Sequence, residues 1–527
     1  MKLLHNAHIH TQNLAQPTAS AIVIDREQII AVGDADDLFS QYPNAEKQDM
    51  QARIIVPGLT DAHLHLKHYS LALQKIDCEV DTQEECLHRV AERVQKSKAG
   101  EWILGHGWNQ NVWPKGWPTA SELDAIAPNN PVYLTAKSLH AAWANTKAIQ
   151  MANITAHTPD PQNGQIQRDA KGSATGVLLE TAMELVGNVI PEPSIAEIAD
   201  AIEKAQPILW KLGLTGVHDF DRRDSFMALQ GLHASQKLKL RVLKNIPVEL
   251  LDEAHALGLR GGFGDDMLRI GNVKVFMDGA LGPHTAAMFQ PYIGEGENRG
   301  ILNMDGEELF EHGRKAAQVG LGMTVHAIGD RANHEVLNAY EQLRTYESEN
   351  HLPALRHRVE HVQVIHPEDA PRLARLKVVA SMQPIHATSD MLMADRYWGP
   401  ERSRLAYAMK TQLDFGAPLA LGSDAPVESP NPFWGLHAAI TRRRADGSPS
   451  AAGWYPEQKL TMAQAFAGYT LGAAYAAYME DRLGRLAPNY LADLIVLEKD
   501  PFTCNPNDLL TLESSATMIG GEWVLQP

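Results

Sequence analysis

Apolar positions in this chain come in short runs, and the way those runs are spaced changes twice along its length. Near the N-terminus, Ala21-Ile22-Val23-Ile24 and the run 28–33 flank the polar turn Asp25-Arg26-Glu27, a hairpin pattern. Near the C-terminus, the runs 492–497 and 518–525 have the same texture, the second broken by Gly520-Gly521. Between them, eight candidate strands (53–56, 214–218, 240–245, 270–276, 323–326, 357–361, 378–382 and 419–422) alternate with helical stretches such as 306–319, 333–349 and 368–376. Eight strands alternating with helices predict an α/β fold, a closed (β/α)8 TIM barrel. The two strand-rich ends are expected to join into one small β-sandwich domain. Residues 1–56 then form its first part, 57–470 the barrel and 471–527 its second part. A segment of about 67–211, inserted after strand one, does not fit a plain barrel. It carries its own apolar runs, Trp102-Ile103-Leu104-Gly105 and Pro131-Val132-Tyr133-Leu134, and the tryptophan-rich phrase from Gly107 to Pro114. Such an excursion forms either a wall over the catalytic face or a subdomain whose tryptophans are core.

Composition narrows the function classes. At 527 residues, with 44% hydrophobic and 21% charged positions, the chain suits one large barrel with a satellite domain in a soluble protein. A net charge of −17 argues against a nucleic-acid partner, which would want a basic face. Three cysteines without a C-x-x-C spacing fit a reducing compartment. The first residues lack a signal-peptide apolar core, and no apolar run is long enough to span a bilayer, so a cytoplasmic, non-membrane protein is expected.

The candidate chemistry begins at Val56-Pro57-Gly58-Leu59-Thr60-Asp61-Ala62-His63-Leu64-His65. Alternate residues of an extended chain share a face, so His63 and His65 can aim both imidazoles at one point, as a metal ion requires. Four later segments each read as a buried strand ending in a metal-competent side chain: Lys274, His326, His361 and Asp424. They lie at or near the C-terminal ends of strands four, five, six and eight, where barrel chemistry sits. Histidine and carboxylate donors suit Zn²⁺ or a similar divalent ion. A neutral lysine is an unusual ligand; a CO2-derived carbamate on Lys274 would offer two oxygens to bridge two ions. Neighbours on a strand face opposite ways, so only one of Glu360 and His361 is expected to point inward, and His361 is the choice.

This order of His-x-His, Lys, His, His and Asp on successive strand ends resembles the amidohydrolase superfamily. More narrowly it resembles amidohydrolase family 3, the YtcJ-like and N-substituted formamide deformylase-like proteins. The phrases that carry the likeness are Pro57–His65, Lys274-Val275-Phe276-Met277-Asp278-Gly279-Ala280-Leu281-Gly282, His326-Ala327-Ile328-Gly329-Asp330 and Gly422-Ser423-Asp424-Ala425-Pro426. Leu139-His140-Ala141-Ala142-Trp143-Ala144-Asn145 and Leu491–Leu497 add to them. The resemblance implies the barrel, the sandwich from both termini, metal-dependent hydrolysis of C–N bonds and a homodimer. His63, His65 and Asp424 are expected to hold one ion and His326 and His361 a second, with carboxylated Lys274 between them. A bound divalent ion lowers the pKa of water from about 15.7 to near 7. Asp424 is the expected catalytic residue, a general base that turns general acid toward the leaving amine of a small N-substituted amide or formamide. His140, Trp108, Asp219 and Arg299 are the candidate substrate contacts. The alternatives are a mononuclear deaminase or cyclic-amide hydrolase on the same scaffold and, more remotely, a non-catalytic metal-binding protein.

Overall fold

The computed structural model describes every residue except 110–112, 114–115, 138–140 and 163. It divides into two compact units, one formed by 1–69 and 202–527 and the other by 70–201.

In the first unit an eight-stranded, all-parallel sheet runs in chain order. Its strands are β1 (Leu59–Leu64), β2 (Leu214–Asp219), β3 (Arg241–Pro247), β4 (Leu268–Phe276), β5 (Met323–Ala327), β6 (Arg358–His361), β7 (Val379–Met382) and β8 (Leu419–Leu421). Each pairs with its sequence neighbour, from Leu59 opposite Leu214 to Leu421 opposite Met382. The ends of the sheet meet just beyond the last strand. Leu64 and Ala425 form a parallel bridge, Asp424 N–H donates to the His63 carbonyl at 2.7 Å and His65 N–H to that of Ala425 at 2.9 Å. Buried Asp61 adds a second tie. It accepts from the Ser423 amide at 3.0 Å and the Ser423 hydroxyl at 2.5 Å, and from its own strand at His63 N–H.

Strand one differs from expectation. Ile54–Pro57 belongs to a terminal sheet, pairing antiparallel with Leu494–Leu497. The barrel strand starts after Gly58, where a Cβ would meet the Thr215 side chain at 2.3 Å, so only glycine lets the chain cross that close to β2. Of the expected helices, Gly306–Gln318 and Asp330–Glu349 form. The second buries Ala332, Val336, Leu337, Ala339, Tyr340 and Leu343, the spacing of one helical face. The third shrinks to Arg372–Arg375, because Pro371 starts the helix there rather than continuing one.

Both termini build two further sheets. One orders Gln28–Gly33, Ala21–Asp25, Lys2–His5 and Glu46–Asp49; the other orders Glu522–Leu525, Ala516–Ile519, Leu494–Leu497, Ile54–Pro57, His8–His10 and Thr18–Ala19. The alternation along Ala21–Asp25 explains their packing. Ile22 and Ile24 point into a core shared with Ile9, Ile55, Leu494 and Val496, whereas Ala21 and Val23 face Leu38 of the helix Ala35–Gln41. The result is a sandwich with one helix-covered face.

The second unit holds a six-stranded mixed sheet in the order Gly164–Arg168, Ala174–Glu180, Ala141–Ala144, Val132–Ala136, Ile103–Trp108, Ile76–Asp77. Trp108, Trp113 and Trp143 fill its core, ring centroids 5.9 to 6.5 Å apart. Among the described residues, no helix is long and apolar enough to cross a membrane.

Candidate active site

The C-terminal ends of the barrel strands gather the histidines. β1 carries Asp61 and His63, and His65 follows just past its end at the same spacing of two. His63 Nδ1 lies 2.6 Å from Glu360 Oε2, and His65 Nδ1 lies 3.2 Å from Asp221 Oδ1. Glu360 is fully buried and is gripped in turn by the Thr324 hydroxyl at 2.5 Å and Arg358 Nε at 2.8 Å. An ionised carboxylate only accepts, so both Nδ1 atoms carry hydrogen and the two Nε2 atoms face the interior. Each Nε2 is 3.4 Å from the same atom, Asp424 Oδ1. Two donors bound at 2.0–2.1 Å to a tetrahedral ion stand about 3.4 Å apart. The three donor atoms therefore have the spacing of a shared divalent cation, and they lie within 4.8 Å of one another.

The next two histidines obey the same logic. His361 Nδ1 is 2.8 Å from Gln383 Oε1, and His326 Nε2 is 2.9 Å from the Gly279 carbonyl. Carbonyl oxygens only accept, which leaves His361 Nε2 and His326 Nδ1 without hydrogen. Ring centroids are 4.5 Å apart for His326 and His361 and 4.9 Å for His63 and His361. Lys274 Nζ is buried without a hydrogen-bond partner among the described residues. It sits 4.8 Å from the centre of the Phe220 ring and 4.6 Å from that of Phe276, and Phe220 stacks on His63 at 3.9 Å. The donor set fits a divalent ion: hard oxygen and borderline nitrogen donors, each histidine oriented from behind, and a buried amine that no protein group satisfies.

Electrostatics divide the histidines. Burial, reinforced by the Lys274 charge, lowers His63 to about 4 and His326 to about 3, and burial beside His326 holds His361 well below its usual range. These three are neutral, the form that binds a metal. For His65 burial is outweighed by the Asp221 and Asp424 carboxylates, which raise it to about 9. At neutral pH its Nε2 holds the proton that a cation would displace. Burial pushes Asp424 upward, but His63 and His65 overcome it and keep the carboxylate ionised. Burial also lowers Lys274 to about 8, against the pull of Glu360 and Asp424.

Two backbone features make the cluster possible. His361 has φ +78° and Asp424 φ +62°, both in the left-handed region that non-glycine residues rarely adopt. The turn at His361 ends the alternation of β6. Glu360 and His361 therefore both reach the site, one bonded to His63 and the other beside it, and the expectation that only one points inward is corrected.

Residues outside the six also converge. His386, on the helix Pro384–Tyr397 that follows β7, is buried, and its Nε2 lies 3.9 Å from Asp424 Oδ2. Donor atoms of His361, His386 and Asp424 lie within 4.8 Å of one another, whereas among the described residues His326 enters no such set of three. The strand-end rule applied to β7 reaches Gln383, and His386 lies beyond it in the first turn of the following helix. Asp221 and Phe220 show only in three dimensions, as does the place of Glu360 behind His63.

The four candidate substrate contacts fare differently. Trp108 is fully buried in the core of the second unit and its indole N–H is spent on the Leu134 carbonyl at 2.8 Å, so it is not a substrate contact. Asp219 is buried and saturated by Lys244 Nζ at 2.7 Å, the Leu66 amide at 3.0 Å and the Ser225 hydroxyl at 3.2 Å, a brace for the loop after β1. Arg299 is half exposed on a surface loop and donates to the Phe289 carbonyl. His140 lies outside the described residues.

Comparison with known proteins places the chain in a family. Residues 48–525 match the family model described as "Amidohydrolase family". The protein LONG AFTER FAR-RED 3 of Arabidopsis thaliana is 32% identical over 99% of this chain and 91% of its own. YtcJ of Bacillus subtilis is 31% identical over 99% of both chains. The N-substituted formamide deformylase of Arthrobacter pascens is 27% identical over 98% of this chain and 97% of its own. A solved structure of an uncharacterized metal-dependent hydrolase from Pyrococcus furiosus, 30% identical, superposes with a TM-score of 0.79 over 95% of this chain and 100% of its own.

Proposed function

The chain belongs to the amidohydrolase family, and on that premise we propose that it is a metal-dependent hydrolase cleaving the C–N bond of a small N-substituted amide or formamide. The observation that carries this reading is the cluster itself. Four imidazoles each spend one nitrogen on an acceptor behind them, and three of them, His63, His65 and His361, bring a donor atom within 4.8 Å of an ionised Asp424 at the C-terminal end of the barrel. Similarity to a formamide deformylase along nearly the whole chain supports the amide class.

A divalent ion such as zinc, held by His63, His65 and Asp424, supplies a positive centre that acidifies water and polarises a carbonyl. The protein's own groups do the rest. Asp424 takes the proton of the attacking water and returns it to the amide nitrogen as the C–N bond opens, which converts a poor amide leaving group into a neutral amine. Glu360 and Asp221 hold His63 and His65 in the required tautomer and orientation. Phe220 and Phe276 shield the Lys274 amine from water. Held near 8, that amine has a neutral fraction at physiological pH. Its lone pair adds to CO2, a nitrogen–carbon bond forms and one proton leaves to solvent, giving the carbamate.

The test is a panel of N-substituted formamides, acetamides and cyclic amides, run with chelator-stripped protein and again after zinc and bicarbonate are restored. Amine release that appears only on restoration is expected. A zinc-replete protein that turns over no member of the panel overturns the proposal.

A further inference from the structure

We propose that His386 is a metal ligand, and that His361, His386 and Asp424 form a cation subsite separate from the one at His63 and His65. This rests on the metal-dependent reading above and goes beyond it, since the sequence pattern assigns His386 no role.

Three observations carry it. First, His386 is 5% exposed, and its Nε2 has no hydrogen-bond partner among the described residues. A buried nitrogen left unmatched costs stability unless something else satisfies it. Second, its other nitrogen is oriented from behind, as in the four histidines already described. In the structure His386 Nδ1 lies 3.2 Å from Gln363 Nε2, and Gln363 Oε1 lies 3.2 Å from the Tyr407 hydroxyl, an assignment of the amide's two ends that the hydrogen bonds around it reverse. Tyr407 has one proton to give and an Asp390 carboxylate at 2.6 Å to receive it. The hydroxyl can then only accept from Gln363, so the amide nitrogen belongs on the Tyr407 side and the amide oxygen faces His386. Nδ1 becomes the donor, and Nε2 is left with a lone pair. Third, Asp424 presents its two oxygens to different partners, Oδ1 at 3.4 Å from His63 and His65 Nε2 and Oδ2 at 3.9 Å from His386 Nε2. That is the disposition of a carboxylate bridging two ions. Three protein donors with a further position open match a catalytic rather than a closed site. With Gln363 Nε2 left on the His386 side, a hydrogen would sit on His386 Nε2, and His386 could then only donate to Asp424.

Zinc titration separates the two. Full-length protein is stripped with chelator, titrated calorimetrically with Zn²⁺ and, after gel filtration, assayed for bound zinc. Wild type is expected to take two equivalents. His386→Ala is expected to lose one and keep the other; the affinity lost should exceed the 10–100-fold that removing an outer partner costs. His65→Ala is expected to spare the equivalent that His386→Ala loses. Zinc binding abolished or weakened by His65→Ala but unaltered by His386→Ala overturns the subsite and leaves the metal centre standing. No zinc binding by wild type overturns both. Anomalous diffraction from zinc-soaked wild-type crystals needs no variant. A peak within bonding distance of His386 Nε2 is expected, and occupied peaks that all exclude His386 overturn the proposal even if the variant fails to fold.

Discussion

The histidine cluster at the barrel mouth and the tryptophan cluster of the second unit are both buried gatherings of ring side chains, and each was conspicuous in the sequence. They differ in what their nitrogens do. The indole N–H of Trp108 donates to the Leu134 carbonyl, that of Trp113 to Val80 and that of Trp143 to Thr119. An indole has one donor, and once it is used the ring is closed chemistry. An imidazole has two nitrogens. When Glu360, Asp221, Gln383 and the Gly279 carbonyl each consume one, the other must face something. Aromatic burial alone therefore says nothing about function. The polar atoms left over after every protein partner has been counted separate a site from a core.

The sharpest way to break this contrast is Asp424→Asn. Amide turnover should fall by about 10³-fold or more, since general acid–base catalysis contributes up to 10²–10⁴-fold, while the circular dichroism spectrum stays native. A variant that keeps most of kcat removes Asp424 from the proton path. Trp108→Ala should act on stability instead, costing about 3–5 kcal/mol in chemical denaturation of the second unit and leaving zinc stoichiometry unchanged. Glu360→Gln removes the charge behind His63 and should weaken zinc binding by about 10–100-fold in calorimetry. If affinity is unchanged, orientation from behind is not what holds His63.

The pH dependence follows from His65. Its metal-free value of about 9 means that a cation must expel a proton below that pH. Apparent zinc affinity at the His63–His65 site should thus rise about tenfold per pH unit from 6 toward 9 and level off above, with close to one proton released by that equivalent at pH 7. His63, at about 4, adds no slope in that window. A flat profile between 6 and 8 contradicts the assignment. Smallest of all, Arg299→Ala should change kcat/KM by less than about twofold, within the range of a surface substitution.

Much of this was legible because it is periodic. Strands of a parallel barrel are near-continuous apolar runs, and a ligand at a strand end is found by reading off the run. That rule located Lys274, His326, His361 and Asp424, each tens of residues from the next. It failed where the backbone leaves the period. At His361 the positive φ defeated strict alternation, and at Pro57-Gly58 one apolar run turned out to serve the sandwich while the next residues began the barrel. His386 was hidden because it stands in the first turn of a helix, where no strand pattern points. Phe220 gives no sign in the sequence, and Glu360 is visible there only as the neighbour of His361. Their roles depend on which strands become neighbours, a property of the closed sheet rather than of any local segment.

Asp61 gives the barrel's closure a further meaning. The first and last strands share few backbone bonds, and what joins them passes through Ser423, Asp424 and the amides around His63 and His65. A cation held there would fasten the seam of the cylinder as well as arm it. Occupancy should thus register as heat resistance, growing with the logarithm of free ion above its dissociation constant. Deuterium uptake at the amides of His65 and Asp424 would report the emptied seam before the rest of the wall loosens.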